Sequence, residues 1–154
     1  FVGLARAAFE IAFRYAEERV SWGKPIVAHQ AVALKLADMA VELEAARLLV
    51  WRLAVAADHG DPKAGMLYAA AAKTAAVRTA IRNAERAVQI LGAYGVASEF
   101  PAAGLLQDAW IGEACDGTHD MLRLNIVQAL RMAAAGPPPG APPEMAGGPP
   151  PLAH

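Results

Sequence analysis

The sequence predicts an all-α fold, an antiparallel four-helix bundle with a short extra helix, and three observations predict it. Alanine fills 38 of the 154 positions while aromatic residues make up only 6%, a composition that suits closely approaching helices better than a β-sandwich. Apolar residues recur at intervals of three and four over long stretches, and nowhere do they alternate usefully with period two. Gly and Pro gather at a few separated points that punctuate those stretches.

Leu4, Ala8, Ile11 and Tyr15 share one helical face, so Phe1 to about Arg19 reads as a helix. Ser21-Trp22-Gly23-Lys24-Pro25 then breaks it, since Gly and Pro both oppose continuation. In the second helix Val32, Leu36, Met39, Leu43, Ala46, Val50 and Leu53 form a seam spaced alternately by four and three. Leu34, Val41, Leu48 and Val55 form a second stripe at intervals of seven. An apolar arc that wide needs cover on more than one side. Either this helix is central to the bundle, or another subunit covers one face. Asp58-His59-Gly60-Asp61-Pro62 ends it, with Asp and Pro opening the next helix.

The third helix, about Pro62 to Leu91, carries Val77, Ile81, Ala84, Val88 and Leu91 on one face, and its Ala69–Ala72 run permits close approach. Gly92-Ala93-Tyr94-Gly95 reads as a turn, and Glu99-Phe100-Pro101 opens a short helix ending near Gly112. Asp116-Gly117-Thr118 is a second break, with Thr118 as cap of a last helix through about Ala135. The bundle therefore occupies 1–135. Across 136–154, eight of nineteen residues are Pro and four are Gly. Such a segment buries no core and is expected to be a disordered or polyproline-like tail.

Several classes fall away on composition. A net charge of −1 does not suit nucleic acid, which needs clustered Lys and Arg. The one cysteine excludes a disulfide framework or a cysteine-based zinc site. No apolar run is long enough to span a membrane. With no secretory signal and a first residue already inside a helical pattern, the chain is expected to be the C-terminal piece of a larger cytoplasmic protein.

No bare motif announces chemistry. His29 and His59 fall at helix ends, His119 in a turn and His154 in the tail, and each has an ordinary structural reading. Asp116 sits in a Gly-containing break between helices, so it is either a capping residue or a base. Its neighbour Cys115 reads as a small apolar wall residue.

The order of the breaks adds a resemblance. Arg19-Val20-Ser21-Trp22-Gly23-Lys24-Pro25-Ile26, then His29-Gln30 and Lys35-Leu36-Ala37-Asp38-Met39, resembles the acyl-CoA dehydrogenase family. Ala87 to Gly95 looks like that family's Val-Gln-Ile-Leu-Gly-Gly-x-Gly turn, and Asp108-Ala109 and Asp116-Gly117-Thr118 resemble its Arg-Asp-Ala and Glu-Gly-Thr. The similarity covers roughly Phe1 to Arg131. It implies a C-terminal helical bundle from an enzyme of dimers or tetramers that uses FAD. Such an enzyme removes the α-proton of an acyl-CoA with a carboxylate, passes the β-hydride to flavin and hands electrons to an electron-transfer flavoprotein.

By the same resemblance Asp116 would be the catalytic base and Gly117 would line the thioester site. Arg19, Ser21, His29 and Gln30 would contact the cofactor, and Gln89, Gly92 and Ala93 would approach it from a neighbouring subunit. Thr118 and Asp120 would face its adenosine side. The sequence also departs from the family pattern. Asp116 replaces Glu and is one methylene, about 1.5 Å, shorter, a misplacement that matters for rate. Ala93 replaces a Gly, Gln107 and Gln128 replace Arg, and Cys115 replaces an aromatic. Asp as base also occurs in nitroalkane oxidases of this fold, so a flavin oxidase is an alternative. A non-catalytic assembly subunit is another.

Overall fold

The computed structural model describes residues 1–135, and the expected tail, 136–154, lies outside the described residues. Six helices follow one another: α1 (Val2–Glu18), α2 (Gln30–Asp58), α3 (Pro62–Leu91), α4 (Ala93–Val96), α5 (Ala102–Ile111) and α6 (His119–Ala134). Two apolar clusters fix how they run. One joins Ala8, Ala12 and Ala16 of α1 to Leu36 and Met39 of α2, Ala84, Ala87, Ile90 and Leu91 of α3, and Ala102 of α5. The other joins Ala5, Leu43, Val77, Ala80, Ile81 and Ala109. From the first cluster to the second, residue numbers fall in α1 and α3 and rise in α2 and α5. Helices α1 and α3 are therefore parallel, with α2 and α5 antiparallel to both.

The second helix was one candidate for the centre of the bundle, but α3 takes that place. It packs against α1, α2, α4, α5 and α6, and no other helix buries as many of its residues. The physical reason is side-chain size. Ala70, Ala72, Ala76, Ala80, Ala84 and Ala87 are buried along α3, so neighbours approach it on several sides without being held off by bulk. On α2 the seam residues Leu36, Met39, Leu43 and Ala46 are buried, whereas Leu34, Val41, Leu48 and Val55 are each more than half exposed.

The face of α1 also differs from its large apolar residues. Ala5, Ala8, Ala12 and Ala16 are wholly buried, and Leu4, Ile11 and Tyr15 flank them half-buried. The alanines form the contact line, and the larger residues seal its edges. Asn83 of α3 locks this arrangement. It is 0% exposed, and its Nδ2 donates to the Ala5 carbonyl (3.3 Å) and to the Met39 carbonyl (3.2 Å). One amide thus ties α3 to α1 and α2 together. Further along, Arg86 of α3 pairs with Glu42 of α2 at 3.0 Å, with Arg82 at 3.6 Å from the same carboxylate oxygen.

Two local expectations are corrected. The break at Ser21–Pro25 holds a minimal antiparallel pairing, Val20↔Pro25 and Ser21↔Lys24, where no strand was expected. Trp22 and Gly23 both have positive φ, 52° and 73°, the turn whose twist matches a two-residue hairpin loop. The Gly92–Gly95 segment is less a turn than a junction: Gly92 takes φ 61°, and the one-turn helix α4 follows. Gly95 lies so close to the Val88 carbonyl that a Cβ there would clash. Helix α3 begins as expected, with Asp61 Oδ1 accepting from the Lys63 and Ala64 amides at 3.0 Å each. Among the described residues no helix is long and apolar enough to cross a membrane.

Because Ala12 of α1 is fully buried in the first apolar cluster, Ala12→Leu overpacks that cluster and lowers stability by about 3 kcal/mol. Urea unfolding of the variant is expected to show a reduced midpoint with an unchanged slope.

Candidate functional site

The residues singled out by the sequence divide between the two ends of α1. At its C-terminal end Arg19 closes the hairpin: its carbonyl accepts from the Ile26 amide at 2.8 Å. Its guanidinium makes no ion pair among the described residues. His29 Nε2 lies 3.0 Å from the Ser21 carbonyl, which fastens the hairpin to the start of α2, where Gln30 is the first, exposed residue. Gln89, Gly92 and Ala93 lie at the same end, exposed at the C-terminus of α3. Leu91 shares a recess with Tyr15 and Glu18 of α1, and Tyr94 stacks edge-on against Tyr15 at 6.0 Å.

Asp116, Gly117, Thr118 and Asp120 stand at the opposite end. The loop they belong to leaves α5 beside the start of α1, where Gly112 abuts Phe1 and Val77. The 17 residues of α1 separate the two groups by about 25 Å at the rise of an α-helix. One chain therefore brings Thr118 and Asp120 to the expected base, but not the expected cofactor contacts of the hairpin and the end of α3.

The 112–118 loop is tightly held. Asp116 adopts φ 52° and Gly117 φ 94°, two successive left-handed residues that reverse the chain. For Asp116 this conformation is unfavourable by about 1–2 kcal/mol. Lys73, on α3, offsets it: its Nζ donates to the Cys115 carbonyl and to the Gly117 carbonyl, the latter at 2.6 Å. Hydrogen bonds from a charged donor contribute about 1.5–3 kcal/mol each. The Asp116 carboxylate itself is exposed and makes no ion pair among the described residues. Thr118 caps α6 as expected, its Oγ1 accepting from the Met121 amide at 3.5 Å. Asp120 pairs with Arg123 at 3.2 Å. Cys115 is half-buried, in keeping with a wall residue.

Three features escaped the sequence reading. His119, expected in a turn, is the first residue of α6 and is buried, its Nδ1 2.8 Å from Glu113 Oε2. Its Nε2 is buried without a partner among the described residues. The Glu113–His119 pair closes the loop at its base. Lys73 reaches the loop from more than forty positions away, and nothing in its alanine-rich surroundings marks it. Trp22 is 94% exposed in its left-handed conformation, and the Trp-Gly dipeptide inside the break was its only signal.

The family model for the acyl-CoA dehydrogenase C-terminal domain matches residues 1–131, from the start of α1 through most of α6. The chain belongs to the acyl-CoA dehydrogenase family. It is 42% identical over 125 residues to the human mitochondrial short-chain specific acyl-CoA dehydrogenase, covering 81% of this chain and 30% of that protein. It is 39% identical over 129 residues to the 3-sulfinopropanoyl-CoA desulfinase of Paraburkholderia xenovorans, covering 84% of this chain and 32% of that one. Among solved structures, butyryl-CoA dehydrogenase from Megasphaera elsdenii superposes with a TM-score of 0.81 at 38% identity, over 84% of this chain and 33% of that one. The chain thus spans about a third of the length of these acyl-CoA dehydrogenase relatives, and its all-α bundle is their C-terminal domain.

Within this domain the Glu113–His119 pair is a local stability element. Glu113→Ala strands a buried imidazole and is expected to lower the melting midpoint by about 5 °C, from a loss of about 1–3 kcal/mol. Glu113→Gln, which still accepts from the ring, is expected to lose less than half of that by calorimetry.

Proposed function

We propose that this chain is the C-terminal bundle of a flavin-dependent acyl-CoA dehydrogenase and that Asp116 is the base that takes the substrate's α-proton. The observation that carries this reading is the loop itself. An unpaired carboxylate sits on a fixed, left-handed residue, in the Asp-Gly-Thr that resembles the family's Glu-Gly-Thr, inside the matched stretch 1–131. An α-proton beside a thioester becomes removable when a positioned carboxylate meets it and water is kept away. Gly117 suits a thioester neighbour: the nearest atom to a Cβ there would be a Leu122 methyl at 3.8 Å, so its own side adds no bulk. FAD, when bound, supplies the acceptor for the hydride that leaves the β-carbon.

The residues at the far end of α1 fit such a cofactor. Arg19 offers an unpaired guanidinium to a pyrophosphate, and Ser21 and His29 are held together beside it. Trp22 offers an exposed indole face. Gln30 is exposed at the start of α2, and Gln89 and the small residues Gly92 and Ala93 are exposed at the end of α3. Thr118 and Asp120 belong to the adenosine side in this reading. Since the groups at the hairpin end stand about 25 Å from Asp116 along α1, a complete site draws them and Asp116 from different copies of the chain. A homodimer or tetramer follows, and the uncovered stripe Leu34, Val41, Leu48 and Val55 favours it. An electron-transfer flavoprotein is the expected acceptor of the electrons.

The thioester is preferred over a nitroalkane because the relatives named above carry acyl-CoA in their names, including the desulfinase. The test is anaerobic mixing of the full-length flavoprotein with a panel of acyl-CoA thioesters while oxidised-flavin absorbance is followed. Wild type is expected to bleach and Asp116→Ala to bleach at least a thousandfold more slowly. Bound flavin that bleaches only with nitroalkanes would transfer the reading to an oxidase, and a parent without flavin would leave an assembly subunit. The 154-residue chain alone is expected to purify without stoichiometric flavin and without turnover.

A further inference from the structure

Most features of the molecule are absorbed by packing or by the site already described, but Lys73 is not. It lies in the body of α3 between Ala72 and Thr74, far from any sequence motif, yet its ammonium reaches the loop between α5 and α6. Lysine on a helix face ordinarily finds water or a carboxylate. Lys73 makes no ion pair among the described residues. Its partners are two main-chain carbonyls, Cys115 and Gly117, which stand on either side of Asp116. The Cys115 carbonyl lies in the peptide plane that enters Asp116 and the Gly117 carbonyl in the plane that leaves Gly117, so one ammonium fixes both ends of the Asp116–Gly117 reversal. With the plane that enters Asp116 set, and φ at 52°, the direction of the Asp116 Cα–Cβ bond is set as well. The charge is spent on the backbone, which leaves the carboxylate free of an ion pair.

We propose that Lys73 is a positioning residue for the reaction: it clamps the loop so that the short Asp116 side chain points at the substrate's α-carbon. The inference rests on the reading of Asp116 as base. It also accounts for how an aspartate serves there. A side chain one methylene shorter than glutamate has fewer rotatable bonds with which to correct a misdirected backbone, and a displacement of about 1 Å costs on the order of a hundredfold in rate.

The test uses the full-length flavoprotein in four forms, wild type, Lys73→Met, Lys73→Arg and Asp116→Ala, with two readouts. The first is the rate constant of flavin reduction by saturating acyl-CoA, together with the acyl-CoA dissociation constant. The second is amide hydrogen exchange of the peptide covering 112–120. Lys73→Met is expected to slow reduction about a hundredfold, to leave the dissociation constant within about threefold, and to speed exchange of the 116–118 amides at least tenfold. Exchange in the α1–α3 core is expected to stay unchanged. Lys73→Arg, which keeps a charged donor, is expected to recover reduction to within about tenfold of wild type and to restore slow exchange. If Lys73→Met does not fold, Lys73→Gln, which keeps the stem and one donor group, is expected to fall between the other two. Wild-type reduction, or wild-type exchange in the loop, in Lys73→Met or its Gln substitute overturns the proposal. Should Asp116→Ala reduce flavin normally, the base assignment fails and the positioning role fails with it. Should Asp116→Ala be inactive while Lys73→Met behaves as wild type, only the positioning role fails.

Discussion

The architecture depends on how little space α3 takes up. Its buried face is mostly alanine, so α1, α2, α5 and α6 all reach it, and packing at that distance leaves little tolerance for error. Asn83 sits where tolerance is least. Its amide reaches the carbonyls of Ala5 in α1 and Met39 in α2, so it specifies the axial position of α1 and of α2 against the same point of α3. Dispersion between alanines is nearly indifferent to a small slide along the axis, whereas a buried amide is directional. The polar contact therefore supplies the register that a core of methyl groups does not.

That register decides where the ends of α1 fall, and with them the candidate site. The hairpin at one end and the 112–118 loop at the other are each fastened to α3 or to its neighbours, so their separation is a rigid property of the bundle. The loop is secured in three ways that act on different atoms. Lys73 holds the backbone on both sides of Asp116, the Glu113–His119 pair closes the base, and Thr118 caps the helix that follows. A carboxylate carried on such a loop is oriented by the scaffold before a substrate arrives, which is the condition under which a base is effective.

Much of this was legible in the sequence. Periodicity and punctuation gave the long helices, and the ordered breaks carried the resemblance on which Arg19, Gln89 and Asp116 were chosen. What stayed hidden has physical reasons. The sequence puts Leu4, Ala8, Ile11 and Tyr15 on the α1 contact face, because hydrophobicity ranks large residues first, but close approach selects Ala5, Ala12 and Ala16 beside Ala8. His119 was placed in a turn because its burial depends on Glu113, six positions earlier. Lys73 could not be found locally at all, since its partners come from across the fold. The hairpin was missed because two residues per strand make no alternation, and only the left-handed Trp22 and Gly23 reveal it.

The stripe of α2 has a geometric consequence of its own. Leu34, Val41, Leu48 and Val55 are spaced by sevens, while a straight α-helix completes its turns in 3.6 residues. The stripe therefore drifts by about 20° per repeat, about 60° over its three intervals. A straight rod laid along it would lose contact before the far end. Any helix that follows all four side chains has to wind around α2 with left-handed supercoil, so the repeat encodes a crossing sense as well as a greasy surface.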